Sequence, residues 1–178
     1  NVFRFAHKVY AIAKALEKVN SKYLIWLDAD IKTYKKIPLE FLDTLVDDNV
    51  YLSYLGRKGI SIKHLTYSEC GFIIFNTQHE IHKTFWQNMM KMYDGGDLFK
   101  EKEWHDSYIF DVVRKNLEKT KNIRNFDITK HGLVDIKNDD HVFVSSVLGN
   151  FMDHKKGNRK GRKWSFELIT RIKKEREN

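Results

Sequence analysis

Apolar positions along the chain change their spacing several times, and each change marks an element. Val2, Phe5, Val9, Ile12, Ala13 and Leu16 recur at helical spacing, with Arg4, Lys8, Lys14 and Lys18 elsewhere on the cylinder. That pattern predicts an amphipathic helix from residue 2 to about 19. Tyr23 to Leu27 is a short unbroken apolar run, the pattern of a parallel-type strand buried on both faces of a sheet. Lys32 to Lys36 reads as polar loop, and Pro38 opens a short helix, Leu39 to Leu45. Val50 to Leu55 and Glu69 to Asn76 are further strands, the second apolar throughout its middle. His79 to Tyr93 is helical, with Ile81, Phe85, Met89 and Met92 as its core stripe, and Asp94-Gly95-Gly96-Asp97 breaks it. Another helix runs from Tyr108 to about Leu117, followed by short-strand and turn material and a final strand from His141 to Leu148. Residues 165–178 form a charged terminal helix expected to fray. Strands alternating with helices, with no linker or internal repeat, predict one α/β domain.

Polar residues that interrupt these runs are the candidates for chemistry. Asp28 and Asp30 end the first strand, and side-chain alternation places both on one side. Two anions so close call for a cation between them or a proton on one, and a divalent metal site is the economical reading. Helix capping or turn formation is the rival. Arg4 and Lys8 lie one helical turn apart and either reach a ligand together or are solvated cations. Gly71, just before the apolar part of its strand, permits close approach of a ligand or another backbone. Cys70 reads as a small buried filler rather than a nucleophile. In Trp104-His105-Asp106-Ser107, Asp106 or Ser107 suffices to cap the following helix. The functional alternative has His105 and Asp106 facing a substrate at the helix's positive end. The last segment, Phe151 to Trp164, combines His154 with a dense run of cations and two glycines, a composition suited to a diphosphate.

Composition narrows the partners. The length of 178 residues suits a single domain with a real core. One cysteine excludes an internal disulfide and a cysteine-rich zinc site, which suits a reducing, cytoplasmic setting. Lys and Arg exceed Asp and Glu by eight, so a phosphate-bearing partner is expected: a nucleotide, a nucleic acid or an anionic surface. No apolar run approaches the roughly 20 residues of a membrane-spanning helix, and no targeting signal is visible, although the chain opens without a methionine.

Together these pieces resemble the nucleotide-diphospho-sugar glycosyltransferases of the GT-A fold. Asp28-Ala29-Asp30 matches the family's Asp-x-Asp motif. Glu69-Cys70-Gly71-Phe72-Ile73-Ile74-Phe75-Asn76 is similar to its strand ending in asparagine, whose start lies near the acceptor. Trp104-His105-Asp106-Ser107 resembles the acidic motif beside the transferred sugar. Asp153-His154-Lys155-Lys156-Gly157, with Lys163-Trp164 beyond, resembles the late His-x-x-Gly-x-x-Lys segment of retaining, glycogenin-like members. Only 27 residues precede Asp28, so the resemblance implies an N-terminally truncated GT-A-like domain over residues 1–164 with a charged tail over 165–178. The spacing from His154 to Lys163 is longer than the family's, which leaves Lys156, Arg159 and Lys163 all candidates for the phosphate lysine.

The resemblance further implies a metal-dependent transfer of sugar from a nucleotide-diphosphate donor to a saccharide or other hydroxyl acceptor. Asp28, Asp30 and His154 would be ligands of Mn²⁺, or Mg²⁺ as second choice. Arg4, Lys8, Lys156, Gly157 and Lys163 would bind the donor and its phosphates. Glu69, Cys70, Gly71 and Trp104 would meet the acceptor or sugar. Asp106, with His105 beside it, would act as general base in an inverting enzyme or orient the sugar in a retaining one. Two other classes compete: a basic nucleic-acid-binding module using Phe151 or Trp164 for stacking, and a two-metal phosphohydrolase or nuclease drawing on Asp106 and Glu69 for extra ligands.

Overall fold

A computed structural model describes residues 2–57, 67–131, 141–155 and 161–177. The chain opens with α1 (Val2–Leu16), then β1 (Tyr23–Leu27), β2 (Ile31–Thr33), α2 (Leu39–Asp43), β3 (Leu52–Leu55) and β4 (Glu69–Asn76). After these come α3 (His82–Asp94), a 3₁₀ turn (Asp97–Lys100), α4 (Asp106–Lys121) and β5 (Phe126–Asp127). The last part holds α5 (Val142–Ser145), β6 (Met152–His154) and α6 (Phe166–Glu177), with 3₁₀ turns at Ile128–His131 and Val147–Asn150. Helix α4 ends on Asn122 in the left-handed region, φ 51°, a conformation that asparagine tolerates better than most residues.

The main sheet has the order β1-β4-β3-β5. β4 runs antiparallel to both neighbours, and β3 and β5 are parallel. The expectation of a parallel, doubly buried first strand is therefore corrected. β1 pairs with β4 alone in this sheet, and Ile25 and Leu27 remain 39% and 43% exposed. β4 is buried along its whole length. Its register with β3 shifts between Tyr54 and Leu55, so Leu55 pairs with Glu69. Such an irregularity re-aims side chains, and here it falls at the end of β4 where Glu69 and Cys70 reach the candidate site.

Apolar side chains on the two faces of β4 feed two cores. On one face Cys70, Ile73 and Phe75 pack with Val9 and Ile12 of α1, Phe85 and Met89 of α3, and Ile109 and Val113 of α4. On the other, Phe72 and Ile74 pack with Leu45, Phe143, Val144, Leu148, Met152 and Leu168. The period-3.6 stripes of α1, α3 and α4 supply the first core, as their sequence pattern predicts.

Three expected elements differ. Lys32 and Thr33 belong to β2 rather than a loop, because β2 pairs antiparallel with β6 in a second, two-stranded sheet. His141 to Leu148 is not a strand but a helical turn and a 3₁₀ turn; Ser146 Oγ accepts from Leu148 N–H at 3.2 Å and supports the turn. Sequence-local hydroxyls of this kind give the backbone an alternative to a ladder, and packing on all sides absorbs the β-branched residues. The terminal helix does not fray at its start: Ser165 N–H donates to Asp153 Oδ2 at 2.6 Å, and Ser165 Oγ caps Leu168 N–H at 3.1 Å. Buried Arg171 donates to the carbonyls of Val144 and Ser146 and to Asn150 Oδ1. No helix among the described residues is long and apolar enough to cross a membrane.

Candidate active site

β2 and β6 decide where the site forms. Their register sets Ile31 opposite His154, and Lys155 N–H donates to the Asp30 carbonyl at 3.0 Å. Two residues 124 apart in sequence are thereby brought into contact: His154 Nε2 lies 3.0 Å from Asp30 Oδ1. On the β1 side, Asp28 N–H continues the ladder to the Gly71 carbonyl at 2.9 Å, and its own carbonyl accepts from Ile31 N–H at 3.0 Å. The turn this closes directs both carboxylates of the pair into one cleft.

The cleft, about 470 Å³ in volume, is lined by Arg4, Phe5 and Lys8 of α1, Asp28 and Asp30, Glu69 and Cys70 of β4, Asp106 and Ser107 of α4, and His154. Lys8 is its hub. Its Nζ stands 2.8 Å from Asp28 Oδ1, 3.0 Å from Asp106 Oδ2 and 2.5 Å from the Cys70 carbonyl. Burial alone would lower the Lys8 pKa, but the carboxylates of Asp106 and Asp28 outweigh it and hold the ammonium above its ordinary value. Asp28 also accepts the Trp26 indole N–H at 2.7 Å. Asp106 opens α4, where the helix dipole favours a negative charge.

His154 is buried and its other nitrogen points inward, with Nδ1 3.6 Å from Glu69 Oε1. Glu69 itself is buried and paired: Oε2 lies 3.0 Å from Arg57 Nη2 and 3.3 Å from His141 Nε2, and Oε1 accepts from Gly71 N–H at 3.2 Å. Gly71 fills a packing role, because a Cβ there would lie 2.7 Å from His154 Cε1. Among the described residues, two groups have donor atoms close enough to share an ion, each within 4.8 Å: Asp28, Asp30 and His154, and Glu69, His141 and His154. Two carboxylates and an imidazole form a donor set suited to Mn²⁺ or Mg²⁺, so the first group fits a divalent ion.

Of the residues singled out by sequence, Arg4, Lys8, Asp28, Asp30, Glu69, Cys70, Asp106 and His154 meet in this cleft. Others stand elsewhere. His105 is the cap of α4, its Nδ1 accepting from Tyr108 N–H at 3.2 Å while Nε2 sits 2.8 Å from Glu103. That places the cap one residue before the expected Asp106 or Ser107. Trp104, 45% exposed, lies outside the cleft lining, stacked edge-on against Phe99 with centroids 5.4 Å apart. Lys163 is exposed and likewise outside the lining; Lys156, Arg159 and Gly157 lie outside the described residues. Burial pushes the Cys70 thiol well up, consistent with a filler, and its carbonyl rather than its sulfur meets Lys8. The Glu69 carboxylate is buried and paired with Arg57.

Sequence reasoning gave no site role to Phe5, Arg57 or His141. A signal existed for Arg57: a carboxylate that opens an apolar strand needs a cation nearby, and Arg57 follows the neighbouring strand. Nothing local marked His141.

No protein-family model matches the chain, and no curated protein does. Among solved structures it is similar to the crystal structure of a glycosyltransferase involved in the glycosylation of the major capsid of PBCV-1. The TM-score is 0.54 and the identity 18%, over 90% of this chain and 75% of that one. At that identity the likeness shows the fold alone: the chain has a glycosyltransferase-like α/β fold.

Proposed function

We propose that this chain is a glycosyltransferase of GT-A, retaining and glycogenin-like type, which moves a sugar from a nucleotide-diphosphate donor to a hydroxyl acceptor. The observation that carries the reading is the convergence, in one cleft, of the Asp28–Asp30 pair, His154 and the cations of α1, drawn from both ends of the chain. Asp30 and His154, with Asp28 beside them, would hold a divalent ion. When bound, that ion supplies Lewis-acid stabilisation of the charge that develops on the departing diphosphate.

The chain's own groups do the rest. Arg4, exposed at the cleft, offers a guanidinium whose fork matches phosphate oxygens. Lys8 holds Asp28 and Asp106 apart and fixes both carboxylates before any ligand arrives. Asp106, held by the Lys8 ammonium at 3.0 Å, is placed to accept from a hydroxyl of the transferred sugar and orient it, the role a retaining enzyme requires of it. Trp104 and Phe99, beyond His105, offer an apolar face for an acceptor saccharide.

The test is a thermal-shift series with UDP and GDP, each with and without Mn²⁺, followed by a sugar-release assay on the stabilising nucleotide. Stabilisation by a nucleoside diphosphate only when Mn²⁺ is present is the expected result. Binding of short oligonucleotides with steep salt dependence, and no response to metal or nucleotide, would overturn the reading in favour of a nucleic-acid module.

A further inference from the structure

The terminal helix α6 turns two large apolar side chains to solvent. Its inner side is committed: Leu168 is buried in the second core, and Arg171, also buried, donates to the Val144 and Ser146 carbonyls. Ser165, itself buried, caps the first turn, its Oγ accepting from Leu168 N–H at 3.1 Å. These anchors keep the helix from rolling to hide its opposite side. On that side Phe166 is 67% exposed and Ile169 is 41% exposed, three residues apart and so neighbours on the helix surface. Single exposed apolar residues are ordinary; an aromatic and an aliphatic side chain held together in water are not.

Cations flank the pair. Lys173 is exposed one turn beyond Ile169 on the same face, and Arg162 and Lys163 are exposed just before the helix begins. Lys32 of β2 is exposed as well and sets its ammonium 4.6 Å from the centre of the Trp164 ring, two residues before Phe166. The acidic residues of α6 leave these charges standing: Glu167 is half-buried, Glu175 pairs with Arg171 at 3.1 Å, and Glu177 lies at the far end of the helix. Phenylalanine and isoleucine side by side among lysine and arginine make up a composition that enters the boundary between lipid headgroups and acyl chains. A nucleic acid would use the cations and could stack on Phe166, but it gains little from Ile169.

We propose that α6 docks on a bilayer surface that carries anionic lipids, with Phe166 and Ile169 entering the headgroup boundary and Lys32, Arg162, Lys163 and Lys173 facing lipid phosphates. The helix, 12 residues long, lies along such a surface and does not cross it. Docking of this kind is independent of what the cleft binds.

The full chain is to be sedimented with vesicles of phosphatidylcholine alone and of phosphatidylcholine mixed with phosphatidylserine, at low and high salt. The parent protein is compared with Phe166→Ser/Ile169→Ser, with Arg162→Gln/Lys173→Gln and, as a control, with Phe3→Ser, which removes a still more exposed ring on α1. The expected result is binding to the mixed vesicles that weakens as salt rises. The apolar double variant should lose about tenfold or more in affinity, the charge variant roughly fivefold per cation removed, and Phe3→Ser nothing. Equal binding to phosphatidylcholine alone would overturn the proposal, since the cations would then play no part. Parent-like binding by the apolar variant, or an equal loss in Phe3→Ser, would do the same. Absence of vesicle binding, with a short oligonucleotide bound by the parent protein and released in the charge variant alone, would assign the patch to nucleic acid instead. Melting temperatures check that the variants fold, and should the apolar one fail, the charge variant decides: parent-like affinity for the mixed vesicles rejects the docking.

Discussion

Asp28 and Asp30, separated by Ala29 alone, sit in different electrostatic settings. Asp28 looks toward the helices of the first core, where Lys8 and the Trp26 indole satisfy it with a full positive charge and a hydrogen bond. Asp30 looks toward the second core, where its partner is an imidazole backed by another carboxylate. On the helix side one ammonium bridges two carboxylates, and Arg4 lines the same wall. On the β6 side the imidazole of His154 stands between the carboxylates of Asp30 and Glu69. A paired-carboxylate motif need not act as a symmetric clamp: one member is tied to an ammonium of α1 and the other to an imidazole of β6.

The largest effect should come from emptying the β6 side. His154→Ala or Asp30→Ala is expected to lower Mn²⁺ affinity by on the order of 100-fold or more and to abolish transfer, since each removes a direct donor and leaves too few ligands. Calorimetry on both variants reads this directly, and unchanged affinity would remove the metal assignment. Lys8→Met should act on the helix side in the reverse sense. Without the ammonium, Asp28 and Asp106 face each other across a partly buried space, costing roughly 2–4 kcal/mol of stability in metal-free buffer. Added Mn²⁺ should restore much of that loss by occupying the vacated position, seen as a second binding equivalent and a recovered melting temperature. Failure of Mn²⁺ to stabilise this variant more than the parent protein would show that the two sides are not distinguished by Lys8. Asp28→Asn is expected to do less, a fall in Mn²⁺ affinity under about tenfold with a lower melting temperature, because what it weakens is chiefly an ion pair.

How far these two sides could be read from sequence differs for the same reason that their chemistry does. The helix side is local. Lys8 lies on a helix whose periodicity is plain, Asp106 lies at the start of another, and β4 was legible to its exact ends because an apolar run stopped by Asn76 has one reading. The β6 side depends on a pairing between Ile31–Thr33 and Met152–His154 that neither three-residue stretch announces. His154 stood out in a cationic segment but took its ligand role only from a motif resemblance, and Arg57 and His141, which hold the neighbouring Glu69, carried no site role in the sequence. His141 begins the stretch that reads as a strand, His141 to Leu148, and that stretch folds as turns, since propensity yields where every side of a short segment is packed. The edge position of β1 was equally hidden, as five apolar residues look the same beside one neighbour or two.

The smallest expected effect concerns pH and lies wholly in the first core. Tyr54, buried beside Phe110 with the Arg114 guanidinium 4.2 Å from its ring centre, has its phenol pushed up to about 12 from 10.0. Burial is the cause, opposed in part by Arg114. The folded state therefore favours the neutral phenol. Its contribution is whole below the unfolded value of 10.0 and disappears as pH rises through about 12. Burial raises Tyr51 in the same direction, and the raised ammonium of Lys8 adds to the trend. Denaturant melts at pH 7, 10 and 11 should show stability flat at first and falling from about pH 10 upward. At one pKa unit per 1.36 kcal/mol, Tyr54 accounts for at most about 2–3 kcal/mol of that fall. Tyr54→Phe should leave stability at pH 7 within about 1 kcal/mol of the parent protein and make the alkaline slope shallower. Lys8→Met should flatten it as well, through the helix side of the cleft. A slope unchanged by either variant would assign the alkaline loss to groups other than Tyr54 and Lys8 and weaken the contrast between the two sides of the site.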